Sequence, residues 1–326
     1  MELVTKKRLY LMTGRVNRPL AEEVANDLGV LLGEPNLADF ANGEIHCRFE
    51  ESVRGTDVFI IQSHVGVDGF SVNDAIMEQL IMVDAAHRAS AKRITAVCPF
   101  FGYARQDRKA EGREPITAKL VANLFERAGA SRLVTVDLHS GQIQGFFDIP
   151  VDHLTAMPVL KGWIADLGEP VVMVSPDAGR VKVAEKYANQ LDADLAIVHK
   201  RRVAGSKNVV EAREVVGEVK GRICVLVDDM IDTAGTIVAA AEQLVDRGAE
   251  KVFAVATHGL FSGPAIDRLK NSPVERVVVT DTIPLPEEKR IAQIEVLSIA
   301  AVVADAIDAV FEDTSVSEIF DGQHLS

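Results

Sequence analysis

The densest chemistry in this 326-residue chain lies in Val225-Leu-Val-Asp228-Asp229-Met-Ile-Asp232-Thr233-Ala234-Gly235-Thr236. An apolar run leads into two adjacent carboxylates, and a Thr/Gly turn then opens a helical pattern. Such a turn sets backbone N–H groups at a helix N-terminus, where they and the helix dipole favour a phosphate. Gly235 lets the backbone come close to an anion, and the hydroxyls of Thr233 and Thr236 can donate to it. Asp228 and Asp229 are acceptors suited to vicinal ribose hydroxyls or to a magnesium shell. Asp and Thr are also ordinary helix caps. The two acids at the end of an apolar strand are what favour a binding site over a plain cap.

Three other constellations invite chemistry. Asp137 and His139 stand two apart at a strand end, and on a strand that spacing places them on one side, fit for a metal or a phosphate. Tyr103 to Arg113 is a dense polar stretch with Arg105, Gln106, Arg108, Lys109 and Arg113 after an apolar strand. A mobile basic loop of this kind could clamp a polyphosphate and exclude water. His199-Lys200-Arg201-Arg202 ends another strand, so Lys200 and Arg202 share a face and can act together on one phosphoryl group.

These residues need a scaffold of strands that stop where chemistry starts. Short β-branched runs recur at 9–13, 58–62, 94–98, 133–137, 171–175, 196–199, 223–228, 252–257 and 277–280. Several are continuously apolar, as in parallel strands buried on both faces. Helical patterns lie between many of them, at 118–128 and at 237–245 for example. In the latter, Ile237, Val238, Ala241, Leu244 and Val245 form an apolar face. The alternation predicts α/β architecture. Gly129 and Gly248 each close a helix just before a strand, which hints at two similar halves. At roughly 150 residues per domain the length suggests about two domains. We expect one over 1–155, a second over 156–310 and a polar tail over 311–326.

With 35 Lys+Arg against 48 Asp+Glu the net charge is −13, so the chain lacks the basic field of a general nucleic-acid binder. Small anions need only a local cluster of cations and stay open. The three cysteines, Cys47, Cys98 and Cys224, are scattered, which suits a reducing compartment better than a disulfide framework or a zinc site. There is no signal-peptide pattern and no apolar run of about 18 residues. A cytoplasmic protein with no membrane partner is expected. No P-loop and no dinucleotide fingerprint occurs, so any ATP chemistry must use another cradle.

The Asp228–Thr236 segment resembles the phosphoribosyl diphosphate (PRPP) binding motif of the type I phosphoribosyltransferase fold. Further segments narrow the resemblance to the ribose-phosphate diphosphokinase family: Phe40-Ala-Asn-Gly-Glu44, Cys98 to Arg108, Asp137 to Phe147, Ser175-Pro-Asp-Ala-Gly179 and Thr257 to Ser262. The resemblance runs over nearly the whole chain. It implies two tandem type I phosphoribosyltransferase-like domains, each with a mainly parallel sheet flanked by helices, and a homohexamer built from dimers. It implies ATP and ribose 5-phosphate as substrates, Mg2+ as cofactor, and PRPP and AMP as products for nucleotide biosynthesis. By residue, it implies catalytic roles for Lys200 and Arg202, and ATP contacts at Arg105, Gln106 and His139. Phe40, Asn42 and Glu44 match the adenine segment, which comes from a neighbouring subunit. Metal would sit at His139 and Asp177, and ribose 5-phosphate on Asp228, Asp229, Asp232, Thr233, Ala234, Gly235 and Thr236. Asp148 and Asp152 match an acidic stretch without a clear metal role. Two positions depart from the pattern: Asn42, where many members have Asp, and Arg180, where many have a second Gly. Two other readings compete: a phosphoribosyltransferase that consumes PRPP, sharing only the Asp228–Thr236 motif, and a non-enzymatic regulatory paralogue.

Overall fold

The computed structural model describes residues 7–202 and 211–320, with the side chains of 200–202, 211–213 and 320 outside that description. The chain divides into two compact units: Met1–Thr155 with Thr282–Pro284 and Ser298–Ser326, and Ala156–Asp281 with Leu285–Leu297.

The first unit runs β1 (Leu9–Thr13), α1 (Arg18–Leu28), β2 (Leu32–Gly33), β3 (Asn36–Asp39), β4 (Ile45–Arg48), β5 (Asp57–Ile61), α2 (Val72–Arg88), β6 (Arg93–Cys98), α3 (Thr117–Ala128), β7 (Arg132–Val136) and β8 (Val151–Leu154). Six strands form a parallel sheet in the order β2-β1-β5-β6-β7-β8, and β3 and β4 pair as a separate antiparallel hairpin. β5 is buried at all five positions, as expected of a central strand covered by helices on both faces.

The second unit runs α4 (Met157–Ala165), β9 (Val171–Ser175), α5 (Val181–Leu191), β10 (Asp194–Arg202), β11 (Glu211–Val216), β12 (Ile223–Ile231), α6 (Gly235–Asp246), β13 (Lys251–Gly259), α7 (Ala265–Lys270), β14 (Arg276–Thr280) and β15 (Ile294–Leu297). Its seven-stranded sheet has the order β11-β10-β9-β12-β13-β14-β15, parallel except for β11. Without β11 this is the strand order of the first unit. The two halves therefore share a topology, as the resemblance implies. The two helix endings that hinted at it are not equivalent, however. α6 joins β12 to β13, so its counterpart is α2, which joins β5 to β6. There Ser90, at φ 64°, takes the left-handed turn that Gly248 takes at φ 88°.

The expected partition over 156–310 and 311–326 is corrected at its end. Helix α8 (Ala300–Glu312) packs on α1 and belongs to the first unit. Val303, Ala304, Ile307 and Val310 are buried on α8, and Leu20, Ala21 and Val24 on α1. Ser298 donates to Glu23 at 2.5 Å. Past the helix, Asp313 takes an ion pair from Lys7 at 2.7 Å and another from Arg93. A short 3-10 turn follows at Val316–Phe320. Composition shows that 300–312 is an apolar helix but not which core receives it. On α6, Ile237, Ala240, Ala241 and Leu244 are buried, whereas Val245 is 43% exposed, so the expected apolar face is narrower by that residue.

Among the described residues no helix is long and apolar enough to cross a membrane. All three cysteines are free, and burial pushes the thiols of Cys47 and Cys224 up to about 11.

Candidate active site

In the second unit, β12 delivers its residues to the end of the sheet between β9 and β13. Strand order reverses there, and open α/β sheets hold ligands at such a point. Asp228 and Asp229 are the strand's late residues, 14% and 8% exposed at the side chain. The chain leaves β12 through Asp232 and Thr233. Ala234 adopts φ 59°, ψ 2° as N-cap of α6, and no side chain caps that helix. The first-turn N–H groups of a helix have no intrahelical partner, so here they face a ligand or water.

Two braces hold this loop. Arg268 on α7 donates to the Thr233 carbonyl at 2.8 Å, and the Ser262 N–H donates to the Asp232 carbonyl at 2.8 Å. A Cβ on Gly235 would stand 3.3 Å from Arg268 Nη1, so glycine keeps the brace close. Sequence reasoning missed Arg268, because a lone cation on a short helix carries no signal of its partner. The end of the Thr257–Ser262 segment buttresses the loop through its Leu260, Phe261 and Ser262 N–H groups.

Asp177 follows β9. Its Oδ1 accepts the N–H groups of Gly179 at 2.8 Å and Arg180 at 3.2 Å. The Arg180 guanidinium then reaches across to β12, with Nε 3.1 Å from Asp228 Oδ1 and Nη2 2.6 Å from Asp229 Oδ1. Lys200 and Arg202 lie on β10, opposite Arg213 and Glu211 of β11. Their side chains, which carry the expected catalytic roles, lie outside the described residues.

Burial first, and then the neighbouring Asp229, push the Asp228 carboxyl well above the usual carboxylate range, against the pull of Arg180. A carboxyl raised on folding lends stability that is whole below its unfolded value near pH 4 and is lost as pH climbs through the folded value. Asp228→Asn keeps the shape and cannot titrate. Denaturant unfolding of the ligand-free protein at pH 5 and pH 8 is expected to give a shallower loss of stability with pH for the variant than for the parent. Equal slopes would assign the proton to another group.

In the first unit, the hairpin turn between β3 and β4 carries Phe40, Asn42 and Glu44. The Phe40 N–H donates to the Glu44 carbonyl at 2.8 Å, and the Asn42 side-chain oxygen accepts from the Glu44 N–H at 3.3 Å. That leaves the Asn42 amide NH2 for a ligand. Phe40 is 56% exposed and meets His46 edge-on at 5.8 Å. Arg15 ties the hairpin to the body. It binds both Asp39 oxygens at 2.6 and 2.7 Å and the fully buried Glu78 at 2.5 Å, and it lies 4.6 Å over the Phe70 ring.

The basic stretch after β6 is exposed at Arg105, Gln106, Arg108, Lys109 and Arg113. Gln106 turns back, and its Oε1 accepts from the Thr117 hydroxyl at 2.6 Å. The root of the loop is fixed by a buried histidine. The Gly102 N–H donates to His64 Nδ1 at 3.1 Å, so Nε2 carries the proton and donates to Gln79 Oε1 at 2.7 Å. Burial lowers the His64 pKa to about 4, which keeps the ring neutral.

Asp137 and His139 follow β7 and do not lie on it, so strand spacing is not what places them. β7 ends at Val136 and Asp137 takes φ 38°, a turn that Asp tolerates better than most residues. Strand alternation stops there, while the Leu138 N–H donates to His153 at 2.8 Å. Asp152 accepts from Arg132 at 2.6 Å.

Two family models match the chain. One describes the N-terminal domain of ribose phosphate pyrophosphokinase, over residues 9–129, and the other a phosphoribosyl synthetase-associated domain, over 207–321. A ribose-phosphate pyrophosphokinase of Streptomyces avermitilis is 56% identical over 320 residues, covering 98% of each chain. The chain belongs to the ribose-phosphate pyrophosphokinase family. One of Bifidobacterium longum is also 56% identical, over 97% of this chain and 93% of its own. The crystal structure of phosphoribosylpyrophosphate synthetase from Mycobacterium smegmatis superposes with a TM-score of 0.88 at 52% identity, covering 94% of this chain and 100% of that one. The activity is that of the ribose-phosphate pyrophosphokinases: transfer of the β,γ-diphosphoryl group of ATP to the 1-hydroxyl of ribose 5-phosphate, giving PRPP and AMP. Full-length identity of this order sets aside both the plain phosphoribosyltransferase and the non-enzymatic reading.

Proposed function

We propose that ribose 5-phosphate binds in the second unit, with its phosphate on the open N-terminus of α6 over Asp232–Thr236 and its 2- and 3-hydroxyls on Asp228 and Asp229. The observation that carries this reading is the uncapped helix start, braced by Arg268 and Ser262 and standing just after two nearly buried carboxylates. The ribose 1-hydroxyl attacks the β-phosphorus of ATP in line, and AMP leaves. Lys200 and Arg202 stabilise the charge that builds on the transferring group, and Arg105 adds to it. Such transfer rests on positioning and electrostatics, so cations without a covalent nucleophile are the expected equipment. Phe40, Asn42 and Glu44 hold adenine from a second copy of the chain, in a homohexamer built from dimers, and Gln106 and His139 contact ATP.

Magnesium fits the donors that are present. Among the described residues no group of three or more His, Cys, Asp or Glu gathers into a cage. Mg2+ commonly takes one or two carboxylates, keeps several waters and rides on substrate phosphates. Asp177 suits that mode, because its Oδ1 is fixed by two backbone N–H groups and the carboxylate is thereby oriented. His139 is a softer donor, better matched to a phosphate oxygen than to Mg2+. When held by Asp177, the ion would screen the charge of the ATP phosphates. Three unpaired thiols, two of them buried, suit residence in the cytoplasm.

The test is incubation with ATP, Mg2+ and ribose 5-phosphate, watching AMP and PRPP appear in equal amounts. ADP in place of AMP would overturn the attack on the β-phosphorus. Equal turnover by Asp232→Ala and Thr236→Ala variants would overturn the phosphate assignment.

A further inference from the structure

Arg180 makes two short ion pairs at the end of the second sheet. It is 16% exposed, and it forks onto two carboxylates that are 14% and 8% exposed. Its backbone is pinned by Asp177 and it starts α5, while its side chain crosses to the neighbouring strand β12. The guanidinium takes Oδ1 of each acid, and the Asp229 N–H adds a bond of 2.9 Å to Asp228 Oδ1. Both carboxylates are thus held by a corresponding oxygen, in one orientation. Two adjacent acids without a cation would repel each other or recruit a divalent ion. A planar fork with five fixed N–H donors meets that need from within the chain.

We propose that Arg180 is the resident counter-ion of the Asp228–Asp229 pair. It is a positioning residue that stands where a divalent cation would otherwise bind and presents both carboxylates to the sugar hydroxyls. This rests on the ribose assignment above and deepens it: the ribose side of the site carries its own positive charge. The carboxylates then need not be reoriented, nor a metal ion recruited to them, before the sugar binds.

The test uses the full-length, ligand-free protein. Binding of Mn2+ is followed by its free-ion electron paramagnetic resonance signal, and binding of ribose 5-phosphate by calorimetry without nucleotide or metal. Arg180→Ala is expected to take up one more Mn2+ per chain than the parent, and adding Asp228→Asn should remove that extra site. The same variant should bind ribose 5-phosphate at least about tenfold more weakly, the order of one charge-assisted contact, with unchanged ATP binding. Arg180→Lys keeps the charge without the fork. It should gain no Mn2+ and still lose several-fold in sugar affinity, which keeps the test decisive if the alanine variant folds poorly. No added Mn2+ in Arg180→Ala overturns the counter-ion role. Parental sugar affinity in both variants overturns the positioning role. A parent that makes AMP from ATP and ribose 5-phosphate but binds the sugar equally well with Asp228→Asn and Asp229→Asn defeats the ribose assignment instead, and so separates the two failures.

Discussion

Lys200→Ala is expected to lower turnover with ATP and ribose 5-phosphate by about 10² to 10³, the range for removing one preorganised charge stabiliser. The loss should fall on kcat more than on KM, because the ammonium is asked to meet charge that develops only as the phosphoryl group transfers. β10 continues as a strand through Arg202, so the spacing that puts Lys200 and Arg202 on one face keeps its backbone premise. Arg202→Ala should cost a similar factor. On the proposed reading both act on one group, so the double variant should lose less than the product of the two single losses. Steady-state kinetics on the three variants measures this. Near-normal turnover by Lys200→Ala would remove the lysine from the chemistry.

Arg15→Ala is expected to destabilise the first unit by about 1–3 kcal/mol, the cost of leaving a buried acceptor without its partner when that partner is itself half-buried. Glu78 is fully buried and accepts from Arg15 Nε at 2.5 Å, from the Arg15 N–H at 2.7 Å and from Gln62 Nε2 at 2.8 Å. Losing the guanidinium leaves that carboxylate short of positive charge in a dry place. The loss should reach the hairpin too, since Arg15 also holds both oxygens of Asp39, the residue before Phe40. Adding Glu78→Gln neutralises the orphaned charge and should return much of the stability in denaturant titrations. If nothing returns, the loss came from the stacking of Arg15 on Phe70.

The sequence was legible wherever burial imposed a pattern. Strands such as Val171–Ser175 and Leu9–Thr13 appear with the limits their apolar runs predict, because both faces must be covered. The short strands β3, β4 and β11 were not legible. β3 and β4 form a hairpin with no buried position, and β11 reads Glu-Ala-Arg-Glu-Val-Val at the sheet edge, so neither offers an apolar run. At the site, residue types single out the acid pair and the turn that opens α6. They could not reveal which partners those residues choose. In the sequence Arg180 is only a departure from the family pattern, and in the fold it is committed to Asp228 and Asp229. That pairing depends on β9 lying beside β12, about fifty residues apart in the chain, and no local pattern encodes such adjacency.

The return of α8 to the first unit bears on the protein's birth. Its partner α1 precedes it by most of the chain's length, and Asp313 meets Lys7 and Arg93 only after everything between them has been made. The second unit, which ends at Leu297, can close while translation continues. The first must wait with the α1 surface around Leu20 and Val24 uncovered. A nascent chain stalled before residue 300 would therefore expose its apolar patch at the N-terminal end, and chaperone capture or protease cleavage should concentrate there.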